Sequence, residues 1–327
     1  MLRWLYEIYH PEIYHGHDRR PPFFEGWYYR LINAPEDQRY AIIPGVFLGA
    51  PGHAFIQILE GHTRRSAYHT FPLEQFQADR QHFEVRVGES IFTRESLHLV
   101  LDRPGLLGQV RGELRLQGGQ PWPVRWSEPG IMGWYAWLPR MECYHGVLSF
   151  DHTLSGILEI EGQEHVFDGG RGYIEKDWGK AFPAGYIWFQ SNHFDTPRVC
   201  LTASIAMIPW LGSAFRGFII GLWLDGRLYR FATYTGARTE SLVLQEERVE
   251  WVVSDRHLRL EMQAVKAGGG LIYGPTPYNM GRRVDETLDA SLFVRLAEPD
   301  GRVLLEDRGR HAGLEISGDV SRLLAAS

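Results

Sequence analysis

Cysteine, basic clusters and long apolar runs are all scarce in this sequence, and each shortage excludes a class of protein. Among 327 residues only Cys143 and Cys200 are cysteines, and they lie too far apart for a CxxC zinc or redox motif. The same scarcity excludes a disulfide-rich secreted scaffold, so we expect two buried free thiols. The net charge is -6 and no basic cluster stands out, so nucleic acid is not an expected partner.

No segment has the apolar length that a targeting or membrane-spanning sequence needs. Arg3, Glu7 and His10 interrupt the first residues before the apolar region of a signal peptide could form. The most apolar window, AMIPWLGSAFRGFIIGLWL, contains Pro209 and Arg216, whereas a spanning helix needs about 18 uncharged apolar residues. These patterns predict a cytoplasmic protein.

What the sequence does contain is a period-two pattern along most of its length. Short runs rich in β-branched and aromatic residues, such as RYAIIPGVFL and HFEVRVGESIFT, are separated by glycine and proline. Asp225-Gly226 and Asp300-Gly301 lie between apolar runs, which is a strong hairpin signal. Helical turns are predicted only at PLEQF and at DVSRLLAAS, close to the C-terminus. The pattern therefore predicts an all-β protein made of antiparallel barrels or sandwiches.

Two short segments echo each other and suggest an internal duplication. FFEGWYY (residues 23–29) and GYIEKDWG (172–179) each place a glutamate shortly before a tryptophan, and each precedes a series of hairpin-like runs. We therefore predict two similar β-barrels, at residues 1–165 and 166–327. Because no linker composition marks the joint, the two barrels are expected to pack tightly.

The chain is rich in aromatic residues, and these cluster beside carboxylates in both segments. It has 11 Trp, 15 Tyr and 17 Phe. Strict alternation sorts the side chains of each segment onto two faces: Glu25, Trp27 and Tyr29 share one face, Tyr173, Glu175 and Asp177 share another, and Ile174, Lys176 and Trp178 lie opposite that second group. The alternation alone leaves open which face lines a barrel lumen.

A carboxyl group held against aromatic walls can do a particular kind of chemistry. Desolvation favours its neutral form, so it can donate a proton near neutral pH, and the aromatic faces can stabilise a cation that results. This arrangement suits protonation of an alkene followed by capture of the carbocation. The alternative is that Glu25 and Glu175 form structural ion pairs with Arg30, Lys176 or Lys180.

Several weaker signals lie outside these segments. No metal site is predicted: the histidines of HPEIYHGH match no metal-site spacing and are expected to be surface residues of a mobile N-terminal arm. His145 and His152, in MECYHGVLSFDHTL, flank a predicted strand and are candidates for core, lumen or catalytic positions. The glycine-rich segment KAGGGLIYGPTPYNMGRR (residues 266–283) is predicted to be a lid or a barrel mouth.

Four segments together resemble one known family. RRPPFFEGWYYRL (residues 19–31), MECYHGVLSFDHTLSG (141–156), GYIEKDWGKAFPAGYIWFQSNHF (172–194) and GLIYGPTPYNMGRRVDETLDASLFVRL (270–296) resemble segments of the tocopherol cyclases of plants and cyanobacteria. The resemblance, which extends distantly to bacterial carotenoid hydratases, implies two tandem lipocalin-like antiparallel β-barrels with little helix. The plant members carry a plastid transit segment that is not seen here, so we expect a bacterial protein.

The resemblance also implies an activity, that of an intramolecular lyase or isomerase of vitamin E biosynthesis. A prenylated hydroquinone is protonated on the double bond nearest the ring, and the phenol oxygen captures the cation to close a chromanol ring, without a cofactor or metal. The implied proton donor is one of Glu25, Glu175 and Asp177, with Glu175 first, and Lys176 or Asn192 would orient the phenol or the carboxyl. The pocket would be lined by Trp27, Tyr28, Tyr173, Trp178 and Trp188.

Two other functions remain open at this point. The protein would bind a hydrophobic small molecule in each case, either as a non-catalytic carrier of a prenylquinone, carotenoid or other lipid, or as a hydratase in which water captures the cation. A solvent-shielded carboxyl facing the ligand would favour an enzyme, because a carrier gains nothing from it. A membrane-soluble substrate also predicts transient contact with a membrane surface, for which residues 207–219 are a candidate. The sequence leaves the substrate and the oligomeric state undetermined.

Overall fold

The computed structural model describes residues 2–139, 141–210 and 212–325, and most of these residues lie in β-strands. The two α-helices of the described residues are short: α1 spans Leu2–Tyr9 and α2 spans Ser321–Ala325. Single turns of 3-10 helix occur at Leu73–Gln75, Gly133–Trp137 and Thr233–Thr235. The predicted all-β fold class and the helical turns near residue 74 and at the C-terminus are therefore confirmed. Within the described residues, neither helix has the length and apolar character needed to span a bilayer.

The first sheet is antiparallel and contains the first twelve strands. They are β1 (Phe23–Ile32), β2 (Arg39–Leu48), β3 (His53–Glu60), β4 (Ser66–Phe71), β5 (Phe76–Ala78), β6 (Glu84–Val87), β7 (Ser90–Thr93), β8 (Ser96–Asp102), β9 (Gln109–Gln117), β10 (Cys143–Ile160), β11 (Gln163–Val166) and β12 (Arg171–Gly179). Their order is β4-β3-β2-β1-β12-β10-β9-β8-β7-β6-β5, with β11 paired to β10. Strand β12 thus lies between β1 and β10, which brings together segments that are far apart in the chain.

The remaining strands follow in chain order. They are β13 (Gly185–Ser191), β14 (Val199–Trp210), β15 (Ser213–Leu224), β16 (Arg227–Ala232), β17 (Arg238–Gln245), β18 (Arg248–Ser254), β19 (Arg259–Val265), β20 (Gly270–Gly274), β21 (Arg282–Ala297) and β22 (Val303–Gly318). The main path of the second sheet is β16-β15-β14-β13-β22-β21-β19-β18-β17. Asp225 and Gly226 join β15 to β16 with φ values of 45° and 86°, the left-handed conformation of a two-residue hairpin turn, as predicted.

The chain divides into two compact units, and each contains its own apolar core. Unit 1 comprises Met1–Phe182 and Gly270–Arg283, and unit 2 comprises Pro183–Gly269 and Val284–Ser327. Residue 165, near which the sequence analysis divides the chain, lies inside unit 1. Each sheet follows an open path, and closure into a barrel is not detected among the pairings of the described strands.

Burial along the strands shows where each core lies. In β8 the residues alternate between buried and more exposed, so one face of this strand packs on the core of unit 1. In contrast, β1 and β12 are almost entirely buried, so both of their faces are covered. The predicted membrane-contact segment in unit 2 is divided: Phe218 is in the core, whereas Trp210 is 42% exposed.

Two other predicted segments differ from expectation. The N-terminal residues form helix α1 rather than a mobile arm, and His15 is buried, because its ring stacks on Trp178 and its backbone binds a buried carboxylate. The glycine-rich segment predicted as a lid contains strand β20, and the side chain of Gln57 exchanges hydrogen bonds with the backbone of Tyr273 there.

Candidate active site

The pairing of β1 with β12 fixes which of the predicted site residues share a face. Glu25 lies opposite Trp178 and Trp27 lies opposite Lys176. Because neighbouring residues on paired strands point to the same side, Glu25, Trp27, Lys176 and Trp178 share one face of the sheet. Trp27 and Trp178 belong to the apolar core of unit 1, so this is the core face. Alternation then places Glu175 on the other face, away from Glu25.

The core face carries a buried ion pair. Lys176 Nζ lies 2.7 Å from Glu25 Oε1, and neither side chain is exposed. Lys176 also donates hydrogen bonds to the carbonyl oxygen of Ile13 and, over 2.8 Å, to Nδ1 of His15. The backbone N–H of His15 donates to both Glu25 oxygens, at 3.1 and 2.9 Å. Of the ion pairs that the sequence analysis left open, the Glu25–Lys176 pair is therefore present.

Aromatic rings surround this charge. Lys176 Nζ lies 4.4 Å from the ring centre of Trp178 and 5.2 Å from that of Trp27, within the range of cation–π attraction. The His15 ring stacks on Trp178 at 4.5 Å, and its Nε2 lies 3.1 Å from the carbonyl oxygen of Glu7. These contacts make His15 a neutral ring that accepts a hydrogen bond at Nδ1 and donates one at Nε2.

The electrostatics of this group argue against Glu25 as the proton donor. Burial by itself raises the pKa of Glu25, but the Lys176 charge and the hydrogen bonds from His15 outweigh it and hold that pKa below its usual value. Glu25 is thus ionised at neutral pH. The group attaches the N-terminal segment to the sheet, because three of its partners are His15, Ile13 and Glu7.

The opposite face carries a second group of ionisable side chains. His145 on β10 lies directly across from Asp177 on β12, and its Nδ1 is 2.9 Å from Asp177 Oδ1. Its Nε2 is 3.6 Å from Glu175 Oε2, too long for a hydrogen bond but close enough for an ion pair. The hydroxyl of Tyr173 donates a hydrogen bond of 2.5 Å to the same glutamate oxygen. We call Tyr173, Glu175, Asp177 and His145 the carboxylate–imidazole cluster.

His145 is the charged centre of this cluster. Burial alone would lower the pKa of His145. The charges of Asp177 and Glu175 and the hydrogen bond to Asp177 outweigh burial and raise this pKa to about 9. The imidazole is therefore protonated at neutral pH and lies between two carboxyl groups. His145, Glu175 and Asp177 also offer donor atoms within 4.8 Å of one another, so they have the geometry to hold a metal ion.

Apolar side chains lie beside the cluster. Phe24 has the same strand parity as Tyr28 on β1, and it packs with Phe47, Phe55 and Met280 in a small apolar group separate from the core of unit 1. Cys143 packs against this group, and its thiol is 3.9 Å from Asp177 Oδ1. The face thus combines titratable groups with an aromatic surface.

The other predicted residues lie elsewhere. Tyr28 is buried on β1 and pairs with Glu175 across the strands. Trp188 and Asn192 are buried in unit 2, where Trp188 lies opposite Glu315 of β22 and Asn192 Oδ1 is 2.8 Å from Nδ1 of His193.

Unit 2 contains a second buried carboxyl group with a tyrosine partner, which the sequence does not predict. The Tyr186 hydroxyl donates a hydrogen bond to Glu315, and the buried Glu286 lies opposite Glu315 in the pairing of β21 with β22. Tyr186 and Glu315 are 129 residues apart in sequence, so no local motif signals this contact. Only the strand pairing reveals it.

A small cavity lies under the N-terminal helix in unit 1. It has a volume of about 30 Å³, enough for a water molecule but not for an organic substrate. Residues that line it include Trp4, Arg19, His15, Trp178 and His145. The cavity therefore lies between α1 and the core face of the sheet, and residue His145 contributes to its wall.

A family model and two plant proteins match this sequence, and all three are tocopherol cyclases or tocopherol cyclase-like. The family model described as "Tocopherol cyclase-like" matches residues 61–318. The chain is 31% identical over 205 residues to a probable chloroplastic tocopherol cyclase of Oryza sativa subsp. japonica, covering 59% of this chain. It is 30% identical over 209 residues to the chloroplastic tocopherol cyclase of Zea mays, covering 60% of this chain. Both matches span 43% of the plant protein, less than half its length.

Solved structures support the same fold. The crystal structure of CghA gives a TM-score of 0.56 at 12% identity, covering 91% of this chain and 89% of that one. The crystal structure of CghA with Sch210972 gives a TM-score of 0.54 at 13% identity with the same coverage. Identities this low compare folds and not activities. The match of the family model over most of the sequence is decisive, and the chain belongs to the tocopherol cyclase-like family.

Proposed function

We propose that this protein closes a chromanol ring in a prenylated hydroquinone by acid catalysis at the carboxylate–imidazole cluster. The observation that carries the proposal is the placement of His145 between Glu175 and Asp177 beside an aromatic surface. The family, and the plant tocopherol cyclases within it, supply the class of reaction. The ring closure is an isomerisation, so it needs no net supply of electrons or protons.

Glu175 is the proposed proton donor. In the free protein the His145 charge and the Tyr173 hydroxyl favour the carboxylate form of Glu175. An apolar substrate that covers the cluster removes water from two carboxylates and one imidazolium, so Glu175 takes up its proton when the substrate binds, and the cluster becomes neutral. Glu175 transfers this proton to the alkene carbon, which leaves a carboxylate and a tertiary carbocation on the substrate. The phenol oxygen then forms the C–O bond and its proton returns to Glu175, so the enzyme is regenerated.

The neighbours of Glu175 have separate tasks in this scheme. The Tyr173 hydroxyl holds Glu175 Oε2 at 2.5 Å, which leaves the other oxygen to carry the proton to the substrate. The His145 charge, 3.6 Å away, stabilises the carboxylate that forms when the proton leaves. Asp177 fixes the imidazole through its Nδ1, so that Nε2 faces Glu175.

The aromatic surface would protect the carbocation from water. Phe24, Phe47 and Phe55 are buried next to the cluster and offer ring faces that attract a cation. Trp27 and Trp178, which the sequence analysis placed in the substrate pocket, lie on the core face and flank Lys176 there. We therefore assign the shielding of the cation to the phenylalanines and to Tyr28 and Tyr173.

Mass spectrometry of products tests the proposal. Purified protein is incubated with a panel of reduced prenylquinols, and the expected product is an isomeric chromanol that Glu175→Gln fails to make. Glu164→Gln, an exposed change of the same chemistry on β11, is the matched control and should keep full activity. Loss of activity in Asp177→Asn but not in Glu175→Gln would move the proton donor to Asp177. Substrate recovered unchanged but bound to the protein would support the carrier instead, and a hydrated product would support the hydratase.

A further inference from the structure

Exposed aromatic side chains gather on one surface of unit 1. Trp126 is 82% exposed, Trp134 is 46% exposed and Trp4 is 41% exposed, and Val124 is also exposed. Trp4 comes from α1, and the others from residues 124–134. Large apolar side chains exposed together mark an interaction surface rather than an ordinary stretch of solvent-facing chain. We call these four residues the aromatic patch.

The two parts of the aromatic patch are held together by specific contacts. The rings of Trp4 and Tyr9 meet Trp137 edge-on, with centres 5.8 and 5.5 Å apart. The hydroxyl of Tyr9 donates a hydrogen bond of 3.0 Å to the backbone carbonyl of Trp126. Helix α1 and the 124–137 segment therefore present their exposed rings as one preformed surface.

Positive charge borders the patch. Arg125 precedes Trp126 in a tight turn, where its backbone exchanges hydrogen bonds with Glu128. Arg19 lines the same small cavity as Trp4, and Arg20 follows it. All three arginines are exposed, and within the described residues no ion pair joins any of them to an acidic side chain. The border therefore carries three exposed arginines that form no ion pair among the described residues.

We propose that the aromatic patch docks this protein on the surface of a lipid bilayer that contains anionic lipids. Tryptophan and tyrosine prefer the interface between water and acyl chains, because they have an apolar ring and a polar tip. Arginines beside them add an electrostatic attraction to anionic headgroups. Exposed indoles bordered by three arginines fit such an interface better than they fit a second copy of the same surface, on which the arginines of the two copies would repel one another.

Docking at this surface would also bring the protein to the bilayer in which a prenylated substrate dissolves. The patch and the small cavity under α1 lie on the core face of the sheet, whereas the carboxylate–imidazole cluster lies on the other face. A prenylated substrate would therefore be concentrated at the docked protein and reach the cluster from the other side of the sheet. This last step rests on the proposed function, whereas docking itself is independent of any reaction.

Flotation with lipid vesicles tests the docking in the absence of substrate. The full chain is mixed with vesicles of phosphatidylcholine alone or of phosphatidylcholine with phosphatidylglycerol, and the bound fraction is measured. We expect binding to the anionic vesicles that weakens with added salt. The double variant W126A/W134A should bind at least about tenfold more weakly, because each lost indole removes apolar area that would be buried in the bilayer.

Trp210→Ala is the matched control, because Trp210 is as exposed as Trp4 but lies in unit 2. It should leave vesicle binding unchanged. Equal binding by wild type and W126A/W134A, no binding by wild type, or loss of binding in Trp210→Ala would each overturn the proposal. So would a dimer, measured by sedimentation, that W126A/W134A dissociates. W126A/W134A should still cyclise a short-chain water-soluble prenylquinol, which separates failure of docking from failure of the proposed reaction.

Discussion

The charge on His145 makes the stability of the fold depend on pH in a defined range. Its pKa in the folded protein is about 9, above the usual 6.5, so folding favours the protonated ring. The stabilisation is fully present below pH 6.5 and is lost as the pH rises from 6.5 to about 9. A shift of this size corresponds to about 3 kcal/mol at most.

The change to make is His145→Gln, which keeps a polar side chain but cannot carry the charge. The free energy of unfolding is measured by urea denaturation at a series of pH values. Below pH 6.5 the variant should be less stable than wild type by up to about 3 kcal/mol, and the two should converge towards pH 9. His98→Gln, at an exposed position on β8, is the control.

Parallel curves for wild type and His145→Gln would refute this reasoning, because they would mean that folding does not change the protonation of His145. A complementary change is Asp177→Asn. It removes the larger of the two charges that raise the pKa of His145, so the loss of stability should move to lower pH.

Three further predictions follow from other contacts. Lys176→Met should destabilise the protein by about 3–5 kcal/mol, because it leaves the Glu25 carboxylate buried without its cation. In urea denaturation, the double variant with Glu25→Gln should lose less stability than the sum of the two single changes. A strictly additive loss would contradict the ion pair. Tyr173→Phe should slow ring closure about 10- to 100-fold through loss of its hydrogen bond to Glu175, with little change in urea midpoint; an unchanged product rate would remove Tyr173 from the site. Gly172→Ala should destabilise the folded protein by about 1–3 kcal/mol, because the new Cβ would lie 2.2 Å from the His152 ring. An unchanged thermal midpoint would show that this ring has room to move.

The sequence predicts much of the fold and names the residues of the candidate site, but it does not show how they are grouped. Strict alternation correctly separates Glu175 from Lys176, because a strand points successive side chains to opposite sides. It does not tell which face holds the core, since β1 and β12 are buried on both faces and their patterns carry no hydrophilic side. The pairing of Glu25 with Lys176 needs the register between two strands that are about 150 residues apart.

Contacts that involve distant strands account for what the sequence leaves undetermined. His145 stands out as a candidate in its motif, but its position across from Asp177 depends on how β10 pairs with β12. The hydrogen bond between Tyr186 and Glu315 depends in the same way on the pairing of β13 with β22. The burial of His15 depends on the packing of α1 against unit 1, which no local pattern encodes.

The central position of β12 gives it an unusual sensitivity to length. Its successive side chains serve two unrelated groups, with Lys176 in the ion pair beneath the N-terminal segment and with Glu175 and Asp177 around the imidazole on the other side. Insertion or deletion of one residue would turn the lysine towards His145 and a carboxylate towards Glu25, so that like charges meet on both faces at once. Side chains along this strand can therefore be exchanged, but the number of its residues is fixed, because the ion pair and the imidazole group each need their side chains on the correct face.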